Sequence, residues 1–297
     1  ILTMHALNVN WTAPFFAKNN SKHYMMEDFN ILTTILSVLK WKEKNGSIKL
    51  YTDTAGYNYF EKNGILSLWD AGIDVEVLNH AEKNINPKTF WAAGKLMALA
   101  HENCPICLID LDFIIWKKIF FPESPLVVIH REALATNVYP GKEHLTIPNH
   151  YTFDKSFSWS EPACNTAFVF YNHDELKDFY LTEAFRFMIE NPAKDGNISM
   201  VFAEQRLLAM CAKKLNIPIT CFHPNPFDSS NRLYTHIWGY KLQLKQDPIA
   251  RTNFCKKCIK RIITDFPEQT HLLYKIPSLK GYFHHKMNKW GCPKTSI

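Results

Sequence analysis

Two carboxylates separated by a single residue, Asp110 and Asp112, close the apolar run Ile106-Cys107-Leu108-Ile109. A short, wholly apolar run suits a strand at the centre of a mainly parallel sheet, buried on both faces. Acids at the end of such a strand are costly to leave unpaired, and a divalent cation that also meets phosphate oxygens is a natural counter-charge. An exposed loop carrying two acids gives the same spacing, so the pair alone leaves both readings open. The cysteines offer a second candidate chemistry. Eight of them lie scattered at 104, 107, 164, 211, 221, 255, 258 and 292, which fits reduced thiols better than a disulfide framework. Cys104 and Cys107 lead into the apolar strand and read as core. Cys255 and Cys258 offer zinc a pair of ligands, with His284, His285 or Cys292 completing a set, but their spacing matches no compact zinc pattern.

The elements that must position these residues alternate along the first two-fifths of the chain. Leu2 to Val9 reads as a strand and Met25 to Lys44 as a long helix, with strands at Ile48 to Thr52 and Ile73 to Leu78. A helix is predicted from Asn86-Pro87, where Asn caps and Pro suits the first turn, to about Glu102. Pro125 to His130 and Thr166 to Tyr171 read as further strands, and Asp174 to Ile189 and Met200 to Leu215 as helices. Between Glu132 and Pro162 no period is visible, as in a long functional loop. This alternation predicts an α/β layered fold with a mainly parallel central sheet, whose sites lie beyond the carboxyl ends of its strands. The organisation expected is one catalytic domain over 1–245 and a basic helical C-terminal appendage over 246–297.

Composition narrows the class. The 297 residues are 46% hydrophobic with only 10 glycines, enough to bury a core and unlike a low-complexity chain. The net charge of +6 is uneven: from Lys241 onward stand 12 Lys/Arg against 3 Asp/Glu, which leaves the body slightly acidic and argues against nucleic acid as its partner. Ile31 to Leu39 is too short to span a bilayer, and Ile1 to Val9 lacks the pattern of a signal peptide, so a soluble cytoplasmic protein is expected.

Several stretches, in order, resemble the retaining A-type (GT-A) glycosyltransferases of the glycogenin, lipopolysaccharide galactosyltransferase and capsular polysaccharide group. Lys49-Leu50-Tyr51-Thr52-Asp53 is similar to that group's second strand, whose end meets the nucleoside, and Trp91-Ala92-Ala93-Gly94-Lys95 to the helix whose basic residue reaches the donor. Asp110 and Asp112 stand as its D-x-D. Asn165-Thr166-Ala167 resembles the acceptor-side strand, with Ala167 in place of glycine. Glu204-Gln205 resembles the acidic-Gln pair under the anomeric carbon. His236-Ile237-Trp238-Gly239-Tyr240-Lys241 resembles the late H-x-x-G-x-x-K motif with one residue fewer between Gly and Lys. The resemblance spans about residues 48 to 241.

It implies a GT-A nucleotide-sugar-binding fold and a hexosyltransferase-like enzyme that moves a sugar from a nucleotide diphosphate-sugar, UDP-linked, to a glycan or lipid-linked acceptor with retention. Asp110, Asp112 and His236 would hold Mn²⁺ or Mg²⁺, and the mixed oxygen and nitrogen set leans toward Mn²⁺. Asp53, Lys95, Gly239 and Lys241 would meet the nucleotide, and Glu204, Gln205 and Asn165 would serve the reacting centre. Each residue also has a plainer reading: Asp53 as a helix cap, Lys95 as a solvated helix residue, Glu204 and Gln205 as an exposed first turn. Competing functions are a nucleotidyltransferase, which Ala6 to Trp11 equips with no glycine-rich phosphate loop, and a degenerate GT-A fold that binds glycans or acts as a scaffold. In the tail, Phe254, Cys255, Cys258, Ile259, Ile262, Ile263 and Phe266 fall on one half of a helix and Lys256, Lys257, Lys260 and Arg261 on the other. That helix either packs on the body or lies on an anionic membrane at the inner face, where a lipid-linked acceptor would be found.

Overall fold

The computed structural model describes residues 5–283 apart from 122, 136, 140, 192–195 and 226–229. In chain order the strands are β1 (Ala6–Asn10), β2 (Ile48–Thr52), β3 (Ile73–Asp74), β4 (Ile106–Ile109), β5 (Phe113–Ile115), β6 (Leu126–Val128), β7 (Arg131–Glu132), β8 (Ala163–Cys164), β9 (Phe168–Tyr171), β10 (Ile219–Cys221) and β11 (Tyr234–His236). Seven of them form a central sheet in the order β10-β6-β9-β4-β1-β2-β3, and β5/β11 and β7/β8 form two-stranded ribbons. All neighbours in the central sheet are parallel except β9, which runs antiparallel to both β4 and β6. The fold is a mixed α/β sheet flanked by helices.

Alternation along the strands splits the core into two layers. Cys107, Ile109, Val127, Phe168 and Phe170 point to one face, against the helix Asp28–Lys44 and the C-terminal helices. Ile106, Leu108, Val128, Val169 and Tyr171 point to the other, against the helices Ala93–Leu99, Asp174–Glu190 and Leu207–Lys214. Burial on both faces is why β4, β6 and β9 are apolar throughout.

Three elements depart from expectation, each for a local reason. The strand expected over Ile73 to Leu78 stops after Asp74, because the Asp74 carboxylate accepts from Val77 N at 3.0 Å and starts the short helix Glu76–Asn79. The helix expected from Asn86 begins only at Ala93: Asn86 accepts Lys88 N on its side chain and Phe90 N on its carbonyl, closing a separate turn. The helix expected over Met200 to Leu215 is interrupted by a π turn at Phe202–Arg206. The aperiodic stretch 132–162 is irregular over its described residues apart from Glu132 in β7 and a 3-10 turn at Lys142–His144, yet Leu145, Tyr151, Phe153 and Phe157 bury in the second core layer and anchor it.

The C-terminal segment packs on the body. Cys255, Cys258, Ile259 and Ile262 of the helix Pro248–Asp265 share one core with Phe29, Leu32, Ile35 and Leu36. Arg251 pins the helix to Glu27 at 2.7 Å and Asp28 at 2.8 Å, Lys40 meets Asp265 at 2.6 Å, and the Tyr282 hydroxyl donates to Asp28 at 2.5 Å. An interfacial helix must sink its apolar face into lipid. Here that face is already buried against protein, and Lys256, Lys257, Lys260 and Arg261 remain exposed. Burial also pushes the Cys255 and Cys258 thiols up to about 12, so they stay protonated in the core and are poor zinc ligands. His284, His285 and Cys292, the other members of that expected zinc set, lie outside the described residues. Among the described residues no helix is long and apolar enough to cross a membrane.

One glycine sets how closely the carboxyl ends of β1 and β2 meet the next helix. A Cβ on Gly56 would lie 2.1 Å from Thr52 Oγ1 and 2.5 Å from Asn10 Nδ2. Thr52 Oγ1 cannot retreat freely, because it donates to Asn10 O at 2.8 Å. Gly56→Ala gains at most about 1 kcal/mol of helix propensity, whereas overpacking of this kind costs roughly 1–3 kcal/mol. We expect thermal unfolding of Gly56→Ala to show a lower Tm than the parent; an unchanged or higher Tm contradicts the packing.

Candidate functional site

The chain leaves β1 toward β2 and β3, then returns to lay β4 on the other flank of β1. Connections that diverge in this way open a crevice beyond the carboxyl ends of the two strands, where open α/β sheets bind their ligands. Asn10 to Thr12 leave β1 into this crevice and Asp110 leaves β4 into it. Asn8, buried in β1, fixes the two strand ends together by donating to Ile109 O at 2.8 Å, while its own oxygen accepts from Trp69 Nε1 at 3.1 Å.

After β4 the chain turns sharply, with Asp110 N on Ala167 O at 2.8 Å and Phe113 N on Asp110 O at 3.0 Å. It then enters β5, whose antiparallel partner β11 sets His236 opposite Phe113. This pairing carries His236 to the aspartates across more than a hundred residues of sequence. Asp110, Asp112 and His236 each offer one ligand atom, and the three atoms lie within 4.8 Å of one another. His236 Nε2 is buried without a hydrogen-bond partner and sits 3.8 Å from Asp112 Oδ2. Burial holds the imidazole below its ordinary pKa although Asp112 and Asp110 pull the other way, so it is neutral and able to ligate. Burial also opposes the charge on Asp112, but Lys241, 2.8 Å from its carboxylate, outweighs this and holds its pKa below the usual range.

Lys95 links this group to a third carboxylate. Its ammonium lies 2.7 Å from Asp110 and 2.5 Å from Glu204, and donates to Thr166 O at 3.1 Å. Burial works against its charge, yet the two carboxylates raise its pKa above the ordinary lysine value. Glu204 is 3% exposed and its pKa is raised, by burial first and by repulsion from Asp110, with Lys95 opposing both. Glu204 and Gln205 sit in the π turn, a feature that re-aims side chains inside a helix and frequently marks functional sites. Tyr180 donates to Glu204 O at 2.9 Å and so satisfies a carbonyl in that turn.

The other expected residues are placed differently. Gln205 accepts from the Tyr139 hydroxyl at 2.5 Å. Asn165 lies before β9 and donates to Glu132 at 2.9 Å. Asp53, expected at the nucleoside, has both oxygens engaged by Thr12 N and Oγ1 at 2.7–2.8 Å and caps the helix Thr54–Lys62 through Gly56 N at 2.9 Å. Gly239 is exposed, and a Cβ there would meet nothing within 4 Å. Beside Asp112 and Lys241 opens a cavity of about 670 Å³, lined also by Asn10, Trp11, Tyr24 and Arg251. That is the size range of small-ligand sites.

The model of a family described as a family of unknown function, DUF6734, matches residues 4–276. The chain belongs to this family. No curated protein matches the sequence. Among solved structures, the nucleoside-diphosphate-sugar pyrophosphorylase from Vibrio cholerae RC9 is similar at a TM-score of 0.35 and 14% identity, over 75% of this chain and 92% of that one.

In this DUF6734 protein, residues that the sequence did not single out stand at the same edge of the sheet or on the cavity wall. His130 and Glu132 follow β6, and Asn10 and Tyr24 bond to each other at 2.8 Å on the cavity wall. The signal that exposes Asp110, polar residues at the end of an apolar strand, also stands in Ile129-His130-Arg131-Glu132. Lys95 makes the energetic coupling testable. Lys95→Met leaves Glu204 buried without its cation, a loss of about 3–5 kcal/mol. A buried acid whose folded pKa is raised favours folding below its unfolded pKa and opposes it as pH rises through the folded one. In metal-free protein, thermal unfolding should therefore show Lys95→Met destabilised more at pH 8 than at pH 5; equal losses at both contradict the coupling.

Proposed function

We propose that this protein is a metal-dependent glycosyltransferase that moves a sugar from a nucleotide diphosphate-sugar, UDP-linked, to a hydroxyl of a glycan or lipid-linked acceptor, with retention of anomeric configuration. The observation that carries this reading is the buried, unpartnered Nε2 of His236 beside Asp110 and Asp112 at the sheet's switch point. Two carboxylates and a neutral imidazole make a donor set that fits a divalent cation. The nitrogen favours Mn²⁺, since Mg²⁺ prefers oxygen throughout. When bound there, the cation supplies Lewis-acid charge to the leaving diphosphate.

The chain's own side chains account for the rest. Lys241 is placed to exchange its contact with Asp112 for a phosphate oxygen, as a point charge on a flexible stem. Lys95 keeps a second positive charge within the crevice while it holds Asp110 and Glu204 in place. Glu204, buried with a raised pKa, and Gln205 beside it supply the polar groups at the reacting centre, and preorganised polar groups of this kind are usually the largest catalytic contribution. Gly239 leaves room for the diphosphate next to His236 and Lys241. Asp53 serves the nucleoside end indirectly, by fixing Thr12 after β1. A cytoplasmic enzyme would reach a lipid-linked acceptor through its exposed Lys256, Lys257 and Lys260, by charge alone. A nucleotidyltransferase has less support, because Asn10-Trp11-Thr12 after β1 forms no glycine-rich phosphate loop.

Two measurements test the reading. Asp110→Asn and Asp112→Asn should each lower Mn²⁺-dependent turnover of UDP-sugars on the order of a hundredfold, as expected when several kcal/mol of transition-state charge stabilisation is lost. Near-normal turnover by either variant in excess EDTA rules out the metal. The first-formed glycosidic linkage, read by NMR, should keep the donor's configuration, and an inverted linkage excludes the retaining group.

A further inference from the structure

β4 and β6 both run antiparallel to β9, so their carboxyl ends emerge on the same edge of the sheet, one strand apart. Asp110 follows β4 there. Glu132 follows β6, on the ribbon β7/β8, where it pairs with Ala163. The loop before β9 lies between them: Lys95 holds Thr166 O, Asp110 N holds Ala167 O, and Asn165 N bonds His130 O at 3.0 Å.

Glu132 is held by one oxygen only. Its Oε1 bonds His130 Nε2 at 2.9 Å and accepts from Asn165 Nδ2 at 2.9 Å. His130 is itself buried, and Asn165 is fixed through Ala167 N at 3.3 Å, so the carboxylate is aimed by two constrained side chains. Among the described residues its second oxygen has no partner, and the side chain is 29% exposed. The bonds from His130, and to a lesser degree from Asn165, keep the acid below its ordinary pKa although burial opposes them. The charge on Glu132 also acts on Tyr139, whose hydroxyl donates to Gln205 beside Glu204. Glu132 thus stands at the same edge of the sheet as Asp110, within electrostatic reach of Tyr139.

We propose that Glu132 is the acceptor-binding carboxylate: its free oxygen accepts hydrogen bonds from hydroxyls of a polyhydroxylated acceptor, and His130 and Asn165 are positioning residues. A fixed, ionised carboxylate with one open oxygen suits a pair of vicinal hydroxyls, which donate to it, and it disfavours an acceptor that presents anionic groups at this point. The inference rests on the glycosyltransferase reading for the identity of the acceptor, and the test keeps the two apart.

Glu132→Gln preserves the size of the side chain and the oxygen that His130 and Asn165 hold, but replaces the free oxygen with a hydrogen-bond donor. The probes are methyl glycosides of glucose, galactose, mannose and N-acetylglucosamine, followed by saturation-transfer NMR with UDP and Mn²⁺ present; UDP affinity is measured separately by calorimetry. The parent should bind at least one glycoside. Glu132→Gln should bind it roughly 10- to 100-fold more weakly, the loss expected for a hydrogen bond to a charged group, while UDP affinity stays within twofold. Glycoside binding equal to the parent's, or no glycoside bound by the parent, overturns the proposal. Absent UDP binding with glycoside binding retained instead overturns the donor reading and leaves Glu132 in place.

Discussion

A single ammonium group, that of Lys95, ties together three parts of the fold that share no sequence neighbourhood. It is 13% exposed at the side chain and is shared between Asp110 at the end of β4 and Glu204 in the π turn, with Thr166 O as its third partner. Taking Lys95 and Glu204 out of water costs several kcal/mol per ion, and contact between them and with the half-buried Asp110 offsets it. The helix Ala93–Leu99, the D-x-D turn and the broken helix around Glu204 must therefore meet at one point. Burial raises the Glu204 pKa, repulsion from Asp110 adds to this, and the shared cation opposes both. Structure and candidate chemistry rest on the same buried charge.

Around that point, strand direction distributes the roles. The reversal of chain path at β1 and β4 opens the crevice, and the antiparallel course of β9 lets β4 and β6 deliver Asp110 and Glu132 to a common edge. The ribbon β5/β11 then returns a late segment to an early one, so that His236 stands beside Asp112 with an unpartnered nitrogen. Polar atoms buried without partners are rare in native folds, because each costs about 1–3 kcal/mol. One that faces two carboxylates is well explained by a cation.

The basic C-terminal segment shows how the same pattern changes meaning with context. Its apolar half covers the helix Asp28–Lys44, and Arg251 and Tyr282 converge on Asp28. Asp28 and Arg251 both line the cavity beside Asp112. The tail thus forms one wall of the candidate site, and the lysines on its outer face are what remains for solvent.

The sequence by itself determined the layers and one half of the site. A strand buried on both faces leaves an uninterrupted apolar run, so β4 was legible to the residue and the acids after it were visible as a pair. The amphipathic period of the C-terminal helix was equally plain, but a period does not name what covers the apolar face, and only packing decided for protein over lipid. Local hydrogen bonds ended the elements at Asp74 and Asn86, because side chains that compete with the backbone act over two or three residues and leave no periodic trace. Asp53 was legible as a helix cap, but tertiary structure alone turned its carboxylate toward Thr12, shared Lys95 between two acids, and brought His236 to Asp112 and Glu132 to the same edge. Those contacts join residues far apart in the chain, and their distances depend on strand order and register, which no local pattern of side chains records.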